Sequence, residues 1–168
     1  MRHCMLVQSA YPYDETRVQR EAHALVERGH EVHVICFRHT SEPRVEIIDG
    51  VTVYRLNVGK KHKTAAAQFR SYLVFWVGAF LKLTSLHLKK RFDIVQVHNL
   101  PDFLVFAAIV PRLTGSRIVL DIHDLMPEFY CSRFGASMNS LGARLLKVQE
   151  RWACRFANQV ITVTDLWP

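Results

Sequence analysis

Glycine is scarce in this 168-residue chain, seven in all, and the segment after its first apolar run, Ser9–Arg17, has none. The G-x-G-x-x-G turn that lets a backbone close on a pyrophosphate is therefore missing, which disfavours a nicotinamide- or flavin-binding protein. Cysteine is equally thin. Cys4, Cys36, Cys131 and Cys154 are widely spread with no CxxC pair, and two of them fall in strand-like segments, the pattern of buried, reduced thiols in a cytoplasmic protein. Neither Ser9 nor any cysteine stands in a G-x-S-x-G context, so a triad hydrolase has little support. The most apolar stretch, Ser71–Leu81, is bounded by Arg70 and Lys82. Its length falls well short of the roughly 20 residues a bilayer span needs, and no transmembrane helix is expected. The opening MRHCMLVQSA is too short and polar for a secretory signal and reads as a strand. No repeat, low-complexity tract or linker divides the chain.

What remains is ordinary globular material, 49% hydrophobic and 22% charged, with a formal charge of +7. Such a balance excludes wholesale disorder and leaves anionic lipid, nucleic acid and phosphorylated substrates open as partners. Short apolar runs alternate with longer helical ones. His3–Val7 reads as a strand, Asp14–Arg28 as a helix capped by Asp14 or Thr16 and ended by Gly29, and Glu31–Phe37 as a strand. Val45–Ile48 and Val51–Leu56 flank the Asp49-Gly50 hairpin signal. After a basic loop at Lys60–Lys63 come a long helix near Thr64–Lys90, a strand Phe92–Val97, a helix Asp102–Leu113 interrupted near Pro111, and a strand Arg117–Ile122. A loop to about Asn139 leads to a helix Ser140–Phe156 and a strand Gln159–Val163. Strands separated by helices imply right-handed crossovers and an α/β, Rossmann-like, doubly wound, mostly parallel sheet. Ligands of such sheets collect at the carboxyl ends of the strands, here Gln8–Asp14, Phe37–His39, His98–Asp102, His123–Glu128 and Thr164–Asp165.

Those ends hold most of the reactive side chains. The helix after the first loop aims its amide end at the cleft, and Arg17 and Arg20 can add contacts to a phosphate or simply be solvated beside a capped helix. His98-Asn99 and His123-Asp124 each follow a strand, where imidazole can exchange hydrogen bonds with a sugar hydroxyl or act as acid or base. The same pair of histidines with Asp102 or Asp124 offers metal ligands, but spacing fixes no third one. On Ser140–Phe156 an apolar stripe (Leu141, Leu145, Val148, Trp152, Phe156) runs beside a basic one (Arg144, Lys147, Arg151, Arg155). This reads as a core face with a solvated border, or else as a surface for anionic lipid or a lipid-linked pyrophosphate. The long helix, with Phe69, Tyr72, Phe75, Trp76 and Phe80 between Lys60–Lys63 and Lys89–Arg91, offers a second such surface, although core packing accounts for most of those aromatics. Basic residues interleaved with aromatics on one sheet face, as nucleic acid requires, are not visible.

Three segments together resemble one family. YPYDETRVQREAHALVERGHEVHVICFR is similar to the first β-α-β unit of family 4 glycosyltransferases, DIVQVHNLPDFLVFAAIVPRLTGSRIVLDIHDLMPE to their central strand–helix–strand unit ending in His-Asp, and ANQVITVTD to the strand that closes the same domain. The resemblance implies a GT-B fold with two Rossmann-like domains facing across a cleft, of which residues 1–168 form the N-terminal, acceptor-side one. It implies retaining, metal-independent transfer from a nucleotide diphosphate sugar to a glycan or lipid-linked acceptor, with no cofactor and no nucleic acid. His123 and Asp124 match the catalytic His-Asp motif. Tyr13 and Arg17 lie in the loop that meets phosphate or acceptor in the family, where the family's glycines are absent. His98, with Asn99 beside it, matches a strand-end histidine of the same cleft, and Glu128 matches a Pro-Glu pair that follows His-Asp in some members. No Glu-x7-Glu pair and no second Rossmann unit occur. The expectation is therefore that the donor-binding C-terminal domain is absent and the isolated chain inactive. A non-catalytic scaffold, or one subunit of a split transferase, is the alternative. A cytoplasmic location, peripheral on the inner face of the cytoplasmic membrane, is also expected.

Overall fold

The computed structural model describes residues 1–38, 41–57 and 65–162. The elements in order are β1 (Arg2–Ala10), α1 (Thr16–Glu27), β2 (Glu31–Phe37), β3 (Val45–Ile48), β4 (Val51–Leu56), α2 (Ala65–Lys90) and β5 (Ile94–His98). A 3-10 segment, Asp102–Ala108, then runs into α3 (Ile109–Leu113), followed by β6 (Arg117–Ile122), α4 (Met126–Phe134), α5 (Leu141–Phe156) and β7 (Gln159–Thr162). The strands form one sheet in the order β3-β4-β2-β1-β5-β6-β7. Every pairing is parallel except the β3–β4 hairpin. That hairpin turns at Asp49 (φ 48°) and Gly50 (φ 80°), two positive φ values of the kind a two-residue primed turn demands.

Alternation along β1 splits the core. Cys4 and Leu6 face one side with Phe75, Leu83, Val97 and Leu120, whereas Met5 and Val7 face the other with Val18, Ala22 and Val34. Thus α1 covers one face, and α2, the 3-10 segment and α5 cover the opposite one. Chain order reverses between β1 and β5, so the crevice of this sheet opens between the loops that leave β1, β5 and β6.

Several elements differ from the sequence reading. β1 runs on to Ala10, because pairing with β2 resumes at Ala10–Phe37 after an irregularity. Neither Asp14 nor Thr16 caps α1. The N-cap is Glu15, with no side-chain hydrogen bond, while Gly29 (φ 79°) ends the helix as expected. β5 begins at Ile94 and includes His98, whose register partner is Asp121. The break in the segment 102–113 falls at Ala108, not at Pro111, which lies inside α3 where its missing N–H does no harm in the first turn. α4 occupies what reads as loop. Its start lacks a side-chain cap and its moment is weak, so no periodic signal announces it. By length and composition α2 is long and apolar enough to cross a membrane, contrary to the count over Ser71–Leu81. Its Tyr72, Phe75, Ala79, Leu83 and Leu86 are nevertheless buried against the sheet, as in a core helix. Lys60–Lys63, His39, Thr164 and Asp165 lie outside the described residues.

The largest reversal concerns α5. Leu141, Leu145, Val148 and Trp152, read as its core face, are 74%, 60%, 44% and 63% exposed. The buried positions are Ala143 and Ala153. Small side chains let α5 approach closely: a Cβ added at Gly142 would meet the Tyr130 hydroxyl of α4 at 3.0 Å. Phe156 alone of that stripe packs inward, edge-on to Phe106.

Candidate functional site

Three strand ends build the site. β1 delivers Gln8, Ser9 and the loop to α1, β5 delivers His98 and Asn99, and β6 delivers His123 and Asp124. Asn99 is the organiser. It is nearly fully buried, and its Oδ1 accepts from the backbone N–H of His123 (3.0 Å) and of Asp124 (3.4 Å). Its Nδ2 donates to Asp102 Oδ1 (2.9 Å) and to the Asp124 carbonyl. One amide thus staples the turn after β6 to the turn after β5. The residue placed on the acceptor side by resemblance spends its hydrogen bonds on protein.

Asn99→Ala should leave the His123 N–H and the Asp102 carboxyl without their partner. Orphaning such groups costs roughly 2 kcal/mol. Urea unfolding would show the loss, and amide exchange at His123 should accelerate beyond what that global loss explains. Unchanged exchange at His123 would contradict the stapling role.

Asp102 sits 1% exposed, and burial pushes its carboxyl up to about 7, against the Asn99 bond and reinforced by the nearby Glu150. Glu150 is raised in turn, by its own burial first and by Glu128 second. Glu128 itself lies exposed in the first turn of α4.

Arg17 and His98 lie within one network on the α1 side of the sheet, buried at the strands and part-exposed at Arg17 and Glu21. His3 Nε2 meets Gln96 Oε1 (3.2 Å), and Gln96 Nε2 donates to Glu21 Oε2 (2.7 Å). Arg17 Nε donates to Glu21 Oε1 (3.2 Å), and its terminal nitrogen contacts Asp121 Oδ1. His98 Nδ1, which must carry the proton opposite a carboxylate, donates to Asp121 Oδ2 (2.8 Å). His98 and Asp121 are both fully buried. Burial pulls His3, at the far end, down to about 4, so it is neutral near pH 7. Arg17 therefore spends its charge on two carboxylates, and Arg20 Nε donates to the Thr16 carbonyl (3.3 Å). The potential metal ligands here are Glu21, His98 and Asp121, all within 4.8 Å of one another, in place of the set built on Asp102 or Asp124. The Arg17 guanidinium already supplies positive charge to both carboxylates.

Several polar atoms around the crevice are buried and lack partners among the described residues. They are Gln8 Nε2 and Oε1, Ser9 Oγ, His98 Nε2, Asp102 Oδ2 and His123 Nδ1. Buried polar groups are normally paired, so each of these atoms has hydrogen-bonding capacity that a ligand or water can use. His123 is half-buried, Asp124 exposed beside it, and Tyr13 70% exposed on the β1 loop. Arg55 anchors that loop from below by donating to the Tyr11 carbonyl (3.4 Å) while it pairs with Glu46 (2.8 Å). Chemically the arrangement offers an imidazole and a carboxylate on a braced turn, next to unsatisfied amide and hydroxyl groups, a set suited to polyhydroxyl recognition. Two shallow depressions, between α1 and the start of β4 and at the amino ends of β5 and β6, include none of these groups except Arg20 and Tyr11.

Sequence reasoning missed Glu21, Gln96 and Asp121. Their signal is present: Gln96 and Asp121 are polar residues inside otherwise apolar strands, and a buried carboxylate in a strand requires a cation nearby.

The chain is similar in fold to sucrose-phosphate synthase from Thermosynechococcus elongatus, with 16% identity and a TM-score of 0.67 over 95% of this chain and 41% of that one. It is likewise similar to the glycotransferase of kitacinnamycin, with 17% identity and a TM-score of 0.53 over 92% of this chain and 40% of that one. A shorter form of the synthase matches at 13% identity and a TM-score of 0.54, over 97% of this chain and 88% of that one. The chain thus spans about two fifths of the first two proteins. No curated protein sequence matches it. The family model for the glycosyl transferase 4-like domain matches residues 15–167, and this establishes that the chain belongs to the glycosyl transferase 4-like family.

Proposed function

We propose that this domain forms the acceptor-side wall of a retaining glycosyltransferase that moves a sugar from a nucleotide diphosphate donor to a glycan or lipid-linked hydroxyl. The supporting observation is the cluster of unsatisfied polar atoms around the turn that Asn99 braces. His123 and Asp124 face the reacting sugar in this reading, His123 as a hydrogen-bonding partner and Asp124 as an acceptor for a hydroxyl. Tyr13 lies on the rim where an acceptor enters. Asn99, His98 and Arg17 are positioning residues, acting through the turn and the network beneath it, and Glu128 acts at most through Glu150. Preorganised charge at the leaving diphosphate is a major part of such catalysis. In this reading that charge belongs to a second domain, consistent with the two-fifths coverage of the relatives.

The reading is tested on the purified chain. Calorimetric titration with uridine and guanosine diphosphates should give no binding, and incubation with nucleotide sugars no transfer. Titration with a glycan panel should shift the nuclear magnetic resonance signals of His123, Asp124 and Tyr13. Micromolar nucleotide binding, transfer by the chain alone, or glycans that leave His123 unmoved would each overturn it.

A further inference from the structure

We infer that the layer formed by α2 and α5 docks on an anionic lipid bilayer, independently of the transferase reading. The observation is that both helices of this layer keep an apolar row uncovered. At about 100° per residue, Leu141, Leu145, Val148 and Trp152 fall within roughly 60° of arc on α5, nearly opposite the buried Ala143 and about 110° from the buried Ala153. On α2, Phe69, Leu73, Val77 and Leu81 are 42–60% exposed and form an i, i+4 row opposite the buried Phe75, Ala79 and Leu83. Both helices pack on the 3-10 segment between them and into the same core cluster, so the two rows belong to one layer of the molecule.

Charge selects the occupant. α2 contains no Asp or Glu, and α5 contains one acid, the half-buried Glu150. Against these stand the exposed Arg144, Lys147, Arg151 and Arg155, which line one border of the α5 row, with exposed Arg70 and Lys89 on α2. An amphipathic helix with Leu and Trp outward, cations along the border and little acid is built to lie at a headgroup boundary: the apolar row enters the acyl region and the cations meet lipid phosphate. A nucleic acid would be served by the cations but not by the uncovered aliphatic rows.

The test is flotation of the purified chain with vesicles of phosphatidylcholine alone or mixed with phosphatidylglycerol. The chain should float with the mixed vesicles, release as salt rises, and bind neutral vesicles weakly. Leu145→Ser with Trp152→Ser should lower partition by about 10-fold or more, since the apolar contribution is lost. Reversing Arg144, Lys147 and Arg151 to Glu should lower it by at least about 100-fold. All five side chains are exposed, and an unchanged circular dichroism melt would confirm that the variants fold. Failure to float with anionic vesicles, or equal flotation of wild type and both variants, would overturn the inference. So would a stable dimer that the Leu145/Trp152 variant dissolves while lipid has no effect, because the occupant would then be a second copy of this chain.

Discussion

Arg17→Ala should destabilise the fold by about 3 kcal/mol, the low end of the usual cost of breaking a buried ion pair. Asp121 is fully buried and its carboxylate is shared between Arg17 and His98. Removing the guanidinium leaves that carboxylate with one imidazole donor, and frees Glu21 to keep only its Gln96 contact. The low end applies because the Arg17 side chain is 28% exposed, so water can partly replace it. Arg17→Lys should recover only part of the loss, since an ammonium cannot hold Glu21 and Asp121 together as a planar fork does. Arg17→Ala combined with Asp121→Asn should be milder than Arg17→Ala alone, because no uncompensated charge remains; that sign of coupling distinguishes an ion pair from lost packing. Urea midpoints at constant slope measure all four proteins. If Arg17 instead waits for a phosphate, Arg17→Ala will leave stability within about 0.5 kcal/mol of wild type, as surface substitutions usually do.

That contrast shows where sequence reasoning ends. β2, β4, β6 and the Asp49-Gly50 hairpin are legible because each rests on local rules: alternation of branched residues in β2 and β4, a short apolar run in β6, and a turn that needs positive φ. The order of elements then implies the parallel sheet and its carboxyl-edge crevice. Arg17 is different, since its fate depends on Asp121, 104 residues away, which only the register of β5 on β6 and the packing of α1 bring beneath it. Asn99 likewise reads as a ligand-binding amide until the chain returns to offer the His123 N–H at 3.0 Å. α5 fails for a third reason. Amphipathic pattern identifies two faces but not which one turns inward, and here the face with Ala143 and Ala153 goes in, while Gly142 beside it lies against Tyr130 of α4. In each case the type of side chain is legible locally and the partner it meets is not.

The same staple makes stability depend on pH through Asp102. Its carboxyl is held near 7, against an ordinary value of 3.8, so the folded chain keeps a proton that the unfolded chain releases. The native state binds more protons between these values, and stability should fall as pH rises from about 4 to about 7. At about 1.4 kcal/mol per pKa unit the full difference is about 4 kcal/mol. Asp102→Asn removes the titrating group and retains an oxygen to accept from Asn99. It also places an NH2 where Oδ2 lacks a partner among the described residues, on the side that feels Glu150. The variant should therefore match wild type near pH 4 and exceed it by up to about 4 kcal/mol at pH 8. Thermal melts across that range decide the matter, and parallel curves for the two proteins would show that Asp102 ionises normally. A further consequence reaches the site. Ionised Asp102 is the stronger acceptor for Asn99, so the turn carrying His123 and Asp124 is braced more firmly above pH 7 even as the fold around it loses stability. Amide exchange at His123, compared with exchange from the centre of β5 over the same pH range and corrected for intrinsic rates, should show the two moving in opposite directions. In Asp102→Asn they should move together.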